Sequence, residues 1–213
     1  MKLTSLLAVF CLFAGCATPN IPETFSLGAT SGTGVAAGSI TYEGGYAAYR
    51  LHLVATESRK TYIIEHGSSQ TLNLVLAFKG EQPHPTLGMK GSPFAVALPA
   101  GNYQLRSWHI SQGAANVRST EPANIEFTVQ PGQAIYIGNY HFKETARLAR
   151  AVTGATVTLS DFAQRDVPAL QVAFPMLKSN PLTQSLSPGT TIEAMGGRSE
   201  GRVTIPVFVP ITR

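Results

Sequence analysis

Apolar residues recur at every second position over long stretches of this chain. Tyr49, Leu51 and Leu53 alternate with Arg50 and His52, and Ile125, Phe127 and Val129 alternate with Glu126 and Thr128. Further runs are rich in β-branched and aromatic residues: Thr61-Tyr62-Ile63-Ile64, 72–78, 94–98, 103–108, 134–138 and 156–159. Successive side chains of a strand point to opposite faces, so a period of two marks half-buried strands. Turn residues punctuate the runs, notably Pro99-Ala100-Gly101-Asn102 and Gln130-Pro131-Gly132-Gln133. From residue 39 to about 161 the pattern predicts many short strands in an all-β, antiparallel β-sandwich. Residues 110–113, after Trp108 and His109, read as a loop, and 143–150 reads equally as a helical turn or a strand.

One segment breaks the alternation. In 162–175 the residues Val167, Leu170 and Phe174 fall on one face at helical spacing. Asp166 is placed to act as N-cap, Pro168 falls in the first turn and Pro175 stops the run. A single short helix is therefore expected near the C-terminal third. Residues 178–213 form an extension rich in Ser, Thr, Pro and Gly. It ends in a stretch, 203–211, where Val203, Ile205, Val207, Val209 and Ile211 share one face and Pro206 and Pro210 the other. Two prolines of one parity remove donors along a single edge, which predicts an edge strand protected from further pairing.

The N-terminus has a different grammar. Met1-Lys2 precede an apolar run over 3–13, then Ala14-Gly15-Cys16. A positive start, a short apolar stretch and small residues before a break describe an export signal, and the run is too short to span a bilayer, which takes about 20 apolar residues. Leu12-Phe13-Ala14-Gly15-Cys16 resembles a bacterial lipobox. Phe13 departs from the Leu usual in that pattern. The resemblance implies cleavage after residue 15 and a lipid on Cys16, and Ala17 implies sorting to the outer membrane. A lipid chain holds by burying methylenes at about 0.8 kcal/mol each. The Thr-, Ser-, Gly- and Pro-rich stretch 16–38 reads as a flexible tether, leaving 39–177 as the β-sandwich domain.

Composition narrows the functions. Both cysteines lie within the first sixteen residues, so the mature domain is expected to stand on its core without disulfides. Charged residues make up 13% of the chain and the net charge is +4, with no dense basic run, which argues against nucleic acid as a partner. The turn-and-strand units Leu98-Pro99-Ala100-Gly101-Asn102-Tyr103 and Gln130-Pro131-Gly132-Gln133-Ala134-Ile135-Tyr136 resemble a group of prealbumin-like (transthyretin-like, Ig-like) sandwich domains of unknown function in bacterial lipoproteins. The resemblance covers about 94–159. It implies a fold and a location, and no activity.

Candidate chemistry is sparse. His52, His66, His84, His109 and His141 show no metal-ligand spacing, so no metal and no cofactor is expected. The only aspartates, Asp161 and Asp166, are explained by helix entry and capping. No nucleophile motif is present. Tyr103, Trp108, Tyr136, Tyr140 and Phe142 read chiefly as core. The expectation is a non-catalytic outer-membrane lipoprotein, held at the membrane through Cys16, with an envelope protein as partner. One alternative is an envelope hydrolase gathering Glu43, Glu65, Glu126, Asp161 or a histidine in a cleft. The other is a carbohydrate-binding module with an exposed aromatic row near Trp108.

Overall fold

A computed structural model describes residues 17–28, 30, 32–68 and 80–204. Among the described residues the chain is all-β with one α-helix, and the strands form two six-stranded sheets. The first sheet holds β1 (Thr33–Glu43), β4 (Lys90–Pro99), β8 (Ala134–Leu148), β9 (Ala151–Ser160), β10 (Leu182–Gln184) and β11 (Thr191–Ile192). The second holds β2 (Ala48–Ala55), β3 (Thr61–His66), β5 (Gly101–Gln112), β6 (Ala115–Ser119), β7 (Ile125–Val129) and β12 (Ser199–Val203).

The expectation of purely antiparallel pairing is corrected in the first sheet. Its order is β11-β9-β8-β1-β4, and β1 runs parallel to β8, as does β10. β10 pairs with Ala134–Tyr136, the end of β8 that β9 leaves open. The second sheet is antiparallel throughout, in the order β12-β6-β5-β2-β3, with β7 on the other half of β5. The two turn motifs singled out above are not hairpins. Pro99-Ala100-Gly101 carries the chain from β4 in one sheet to β5 in the other, and Gln130–Gln133 carries it back from β7 to β8.

Alternation explains the core. Leu51 and Leu53, Phe94, Val96 and Leu98, Leu105 and Trp108, Tyr140 and Phe142 all turn inward into one cluster shared by both sheets. Trp108 is completely enclosed and its indole N–H donates to the Met195 carbonyl at 2.7 Å. The run read as a loop at 110–113 continues β5 to Gln112, where Gly113 and Ala114 turn into β6. Residues 143–148 continue β8.

A second cluster lies on the outer face of the first sheet. There α1 (Ala163–Ala173) and a following 3-10 turn (Pro175–Lys178) cover Val35, Ala37, Ala95, Ala134 and Tyr136 with Leu170, Phe174 and Leu177. The stretch expected as a tether joins them. Ile21 donates its N–H to Ala95 and is buried, Asn20 accepts from the Ala95 N–H, and Thr18 bonds Ile63. The domain boundary expected at 39 falls inside β1. Such packing is the ordinary fate of apolar residues such as Ile21, Phe25 and Leu27 beside an unpaired face.

Asp166 is not the N-cap of α1. The helix begins three residues earlier, with Phe162 at the cap position, and Asp161 accepts the Ala163 N–H at 3.1 Å. Asp166 points down onto the sheet and is wholly buried. Its Oδ2 accepts Ser39 Oγ–H at 2.5 Å and Tyr136 O–H at 2.8 Å, and its Oδ1 accepts Arg165 Nε–H at 2.8 Å. Arg165 Nη2 is equally close to Oδ1 but off the line of a hydrogen bond. Asn139 Nδ2 extends the chain to Ser39 Oγ and Thr41 Oγ1. A bulge makes this possible. β1 and β8 slip by one residue between Ala37/Tyr136 and Ser39/Asn139, with Gly138 at φ +108° absorbing the extra residue. Tyr136 and Asn139 thereby reach the same face although three residues apart.

The extension after residue 178 returns to both sheets through β10, β11 and β12. β12 also lies against β9, so closely that a Cβ on Gly201 would sit 2.0 Å from the Thr153 carbonyl oxygen. The edge strand expected over 203–211 falls, beyond Thr204, outside the described residues, as do Cys16 and the run 72–78.

Candidate functional site

A groove of about 770 Å³ opens on the outer face of the second sheet. His109, Arg118 and Glu200 line it, in a row set by strand register that continues beyond the groove through Arg50 to Glu65. Glu65 of β3 stands opposite Arg50 of β2, Arg50 opposite His109 of β5, His109 opposite Arg118 of β6, and Arg118 opposite Glu200 of β12. Directly opposed residues of antiparallel strands point to one face. The result is a single row across five strands, acid–arginine–histidine–arginine–acid, spanning about 19 Å at ordinary strand spacing.

Each arginine is held by the acid on its outer side. Arg50 Nε bonds Glu65 and its Nη1 donates to Ser111 Oγ at 3.2 Å. Arg118 Nε and Nη2 both donate to Glu200 Oε2, at 3.1 and 2.7 Å. His109 sits between the two guanidinium groups. His52, two residues from Arg50 on the same face, lies with its ring 6.4 Å from that of His109. Burial, then Arg50, His52 and Arg118, push the His109 pKa down, against a hydrogen bond with Asn116. Burial and Arg50 lower that of His52. Ser107, Asn116, Ser119, Thr120 and Arg202 complete the wall with hydroxyl, amide and guanidinium groups. The centre of the row is thus cationic, polar and open.

A second cluster closes one end of the core, where the edges of β3 and β4 meet. Ser92 Oγ lies 2.8 Å from His66 Nδ1, and His66 Nε2 lies 2.9 Å from Glu81 Oε2. The same carboxylate oxygen accepts Tyr42 O–H at 2.8 Å. Burial pushes the Glu81 pKa up, but His66, Tyr42 and Lys90 together hold it below the usual carboxylate range. Burial and Glu81 drive the Tyr42 hydroxyl far upward, so it stays a donor. Tyr42 stacks on Tyr49 with centroids 4.5 Å apart.

The acids named from sequence as a hydrolytic set are not brought together. Glu43 lies 3.6 Å from His141, Glu65 holds Arg50, Glu126 is exposed beside Gln104, and Asp161 accepts the Ala163 and Gly189 N–H groups. His84 Nδ1 accepts backbone N–H groups of its own turn. Tyr103, Trp108, Tyr136, Tyr140 and Phe142 are all buried, so they form no stacking platform. Sequence reading passed over Arg50, Arg118, Glu200 and Glu81, and set Ser92 aside because no nucleophile motif flanks it. Arg50-x-His52 alternation marked an outward face, but which strand lies beside which is a matter of topology. Among the described residues no group of three or more His, Cys, Asp and Glu is disposed to hold a metal ion, and no helix is long and apolar enough to cross a membrane.

No protein-family model matches this chain, and no curated protein matches it. Among solved structures it is similar to a leucine-rich repeat protein from Bacteroides thetaiotaomicron VPI-5482, at 20% identity and a TM-score of 0.29 over 54% of this chain and 14% of that one. A likeness at that level carries no argument about fold or function.

Proposed function

We propose that this chain is a non-catalytic, outer-membrane lipoprotein, carried on a lipid at Cys16, whose β-domain is a prealbumin-like sandwich serving as a binding module. The observation that carries the binding role is the charged row on the second sheet. The row stands on the outer face of the second sheet, away from the apolar core that the two sheets share. Two arginines oriented by outer carboxylates are held ready before any ligand arrives, which reduces the ordering cost of binding. The lipobox-like Leu12–Cys16 stretch supports the anchor.

The test is co-purification from detergent-solubilised envelopes, comparing the parent with Asn116→Trp, which fills the groove. A protein or glycan recovered with the parent and lost from the variant is the expected result. Equal recovery from both, or nothing from either, overturns the reading of this face as the binding face.

A second reading, an envelope hydrolase, has one observation in its favour. Ser92, His66 and Glu81 follow one another in hydrogen-bond order, the arrangement that activates a serine hydroxyl. Labelling with a fluorophosphonate probe that is lost in Ser92→Ala would support it, and an unlabelled parent would dismiss it.

A further inference from the structure

We propose that the groove on the second sheet binds an acidic sugar, with one oxyanion seated over His109 between Arg50 and Arg118 and the sugar hydroxyls against the neutral polar wall. This rests on the reading of that face as a binding face and adds what it holds.

Three features of the site lead there. The first is the order of charge along the row. The acids stand at its two ends, Glu65 and Glu200, and only cations and imidazoles occupy the middle. A negative group gains most at the centre, where both arginines and both histidines lie within a few strand spacings, and is repelled at either end. The arrangement therefore fixes the place of one anionic group, not of a long polyanion, which would run over Glu65 or Glu200.

The second feature is the unspent donors. Arg118 commits Nε and Nη2 to Glu200, and Arg50 commits Nε to Glu65 and Nη1 to Ser111. The remaining guanidinium nitrogen of each is spared by these contacts. Planar guanidinium groups pair well with the oxygens of carboxylates and phosphates alike.

The third feature is the wall. Ser107, Ser119, Thr120 and Asn116 offer hydroxyls and an amide, groups that both donate and accept, as sugar hydroxyls require. The groove's volume of about 770 Å³ exceeds what a bare ion fills and falls within the range of sites for small organic ligands.

The titrating groups on this face set the pH dependence. They are His52 and His109, with Arg50, Arg118, Arg202, Glu65 and Glu200 around them. An oxyanion favours the protonated imidazoles, whose charge is otherwise opposed by burial and by the arginines. Binding takes up protons, so it tightens as pH falls through the histidine range.

Calorimetric titration of the full-length protein in detergent tests this with three probes: glucuronate, glucose 6-phosphate and glucose. Binding by at least one acid and not by glucose is expected, and the tighter acid identifies the oxyanion. A carboxylate stays ionised above pH 5, so glucuronate reports the protein's titration alone, with affinity rising roughly tenfold from pH 7.5 to 5.5 if one proton is taken up. If glucose 6-phosphate alone binds, proton uptake is read instead from the dependence of its heat on buffer. Arg118→Met, an exposed side chain, should abolish acid binding while leaving the melting temperature unchanged. Equal binding of glucose, or acid binding indifferent to Arg118→Met, overturns the oxyanion seat while leaving the face a binding face. If no probe binds but the Asn116→Trp-sensitive partner persists, the ligand class falls and the binding role stands. If both are lost, both fall.

Discussion

Ser39 donates its hydroxyl to Asp166 Oδ2 at 2.5 Å across 127 positions of sequence, inside a site from which water is excluded. This bond ties α1 to β1, an interior strand of the first sheet. Tyr136 and Arg165 complete the shell of the carboxylate, and Asn139 anchors Ser39 in turn. Ser39→Ala leaves Asn139 and Asp166 each one bond short and is expected to cost about 1–3 kcal/mol. Asp166→Ala strands Ser39, Tyr136 and Arg165 together and is expected to cost more, roughly 3–5 kcal/mol. Denaturant unfolding of the two variants checks the order. Asp166 behaving like an exposed cap, with a loss near 1 kcal/mol, would contradict the network.

The outward histidines make stability depend on pH in a defined direction. His52 and His109 have pKa values below the ordinary 6.5, through burial and then Arg50, and His141 likewise through burial. An unfolded chain therefore binds protons that the fold refuses. Their contribution is whole above about pH 6.5 and declines as pH falls from there toward the folded values. The melting temperature is expected to drop between pH 7 and 5, less steeply in His109→Gln. Glu81, held low by His66 against its burial, contributes stability above about pH 4.5 that is lost below it. A second decline below pH 4.5, shallower in Glu81→Gln, is the corresponding outcome.

β12 depends on a residue without a side chain. Thr153 leaves no room for a Cβ at position 201, so Gly201→Ala is expected to lift β12 from β9. The row then loses Glu200, and Arg118 loses its partner. Hydrogen exchange should show reduced protection along β6. The melting temperature should fall only modestly, because β12 is mostly exposed and buries little apolar surface.

Cys16→Ser is expected to abolish incorporation of a fatty-acid analogue and to release the protein from the membrane fraction or leave an uncleaved precursor. Equal labelling of mutant and parent removes the anchor from the proposal.

Inward and outward positions on β2, β4, β5 and β7 are legible in the sequence, because alternation of apolar and polar residues is a local property. The helix was legible in type, from Val167, Leu170 and Phe174. What escaped is what depends on neighbours distant in sequence. Asp166 reads as a cap because Asp before an apolar run is a capping pattern. Only the pairing of β1 with β8 brings Ser39 and Tyr136 beneath it, and the slip at Gly138 adds Asn139. The same holds for the charged row. Its five members lie on five strands, and no spacing within the chain aligns Glu65 with Glu200. The parallel pairing of β1 with β8 escaped because Pro99-Ala100-Gly101 and Gln130–Gln133 read as turns within an antiparallel series, whereas both pass between sheets.

That parallel pairing governs when the molecule can fold. β1 finds one neighbour at Lys90–Pro99 and the other only at β8, where Glu43 meets Lys143. A chain emerging from its N-terminus carries β1, an interior strand, with one edge unpaired for about a hundred residues, from Glu43 to Lys143, and so long a loop must close before that edge is rewarded. Folding dominated by such distant contacts falls in the range of milliseconds to seconds, a rate readable from the fluorescence of Trp108, the chain's one tryptophan. Under the export proposed above, this delay would keep the leading segment from pairing before the rest has followed.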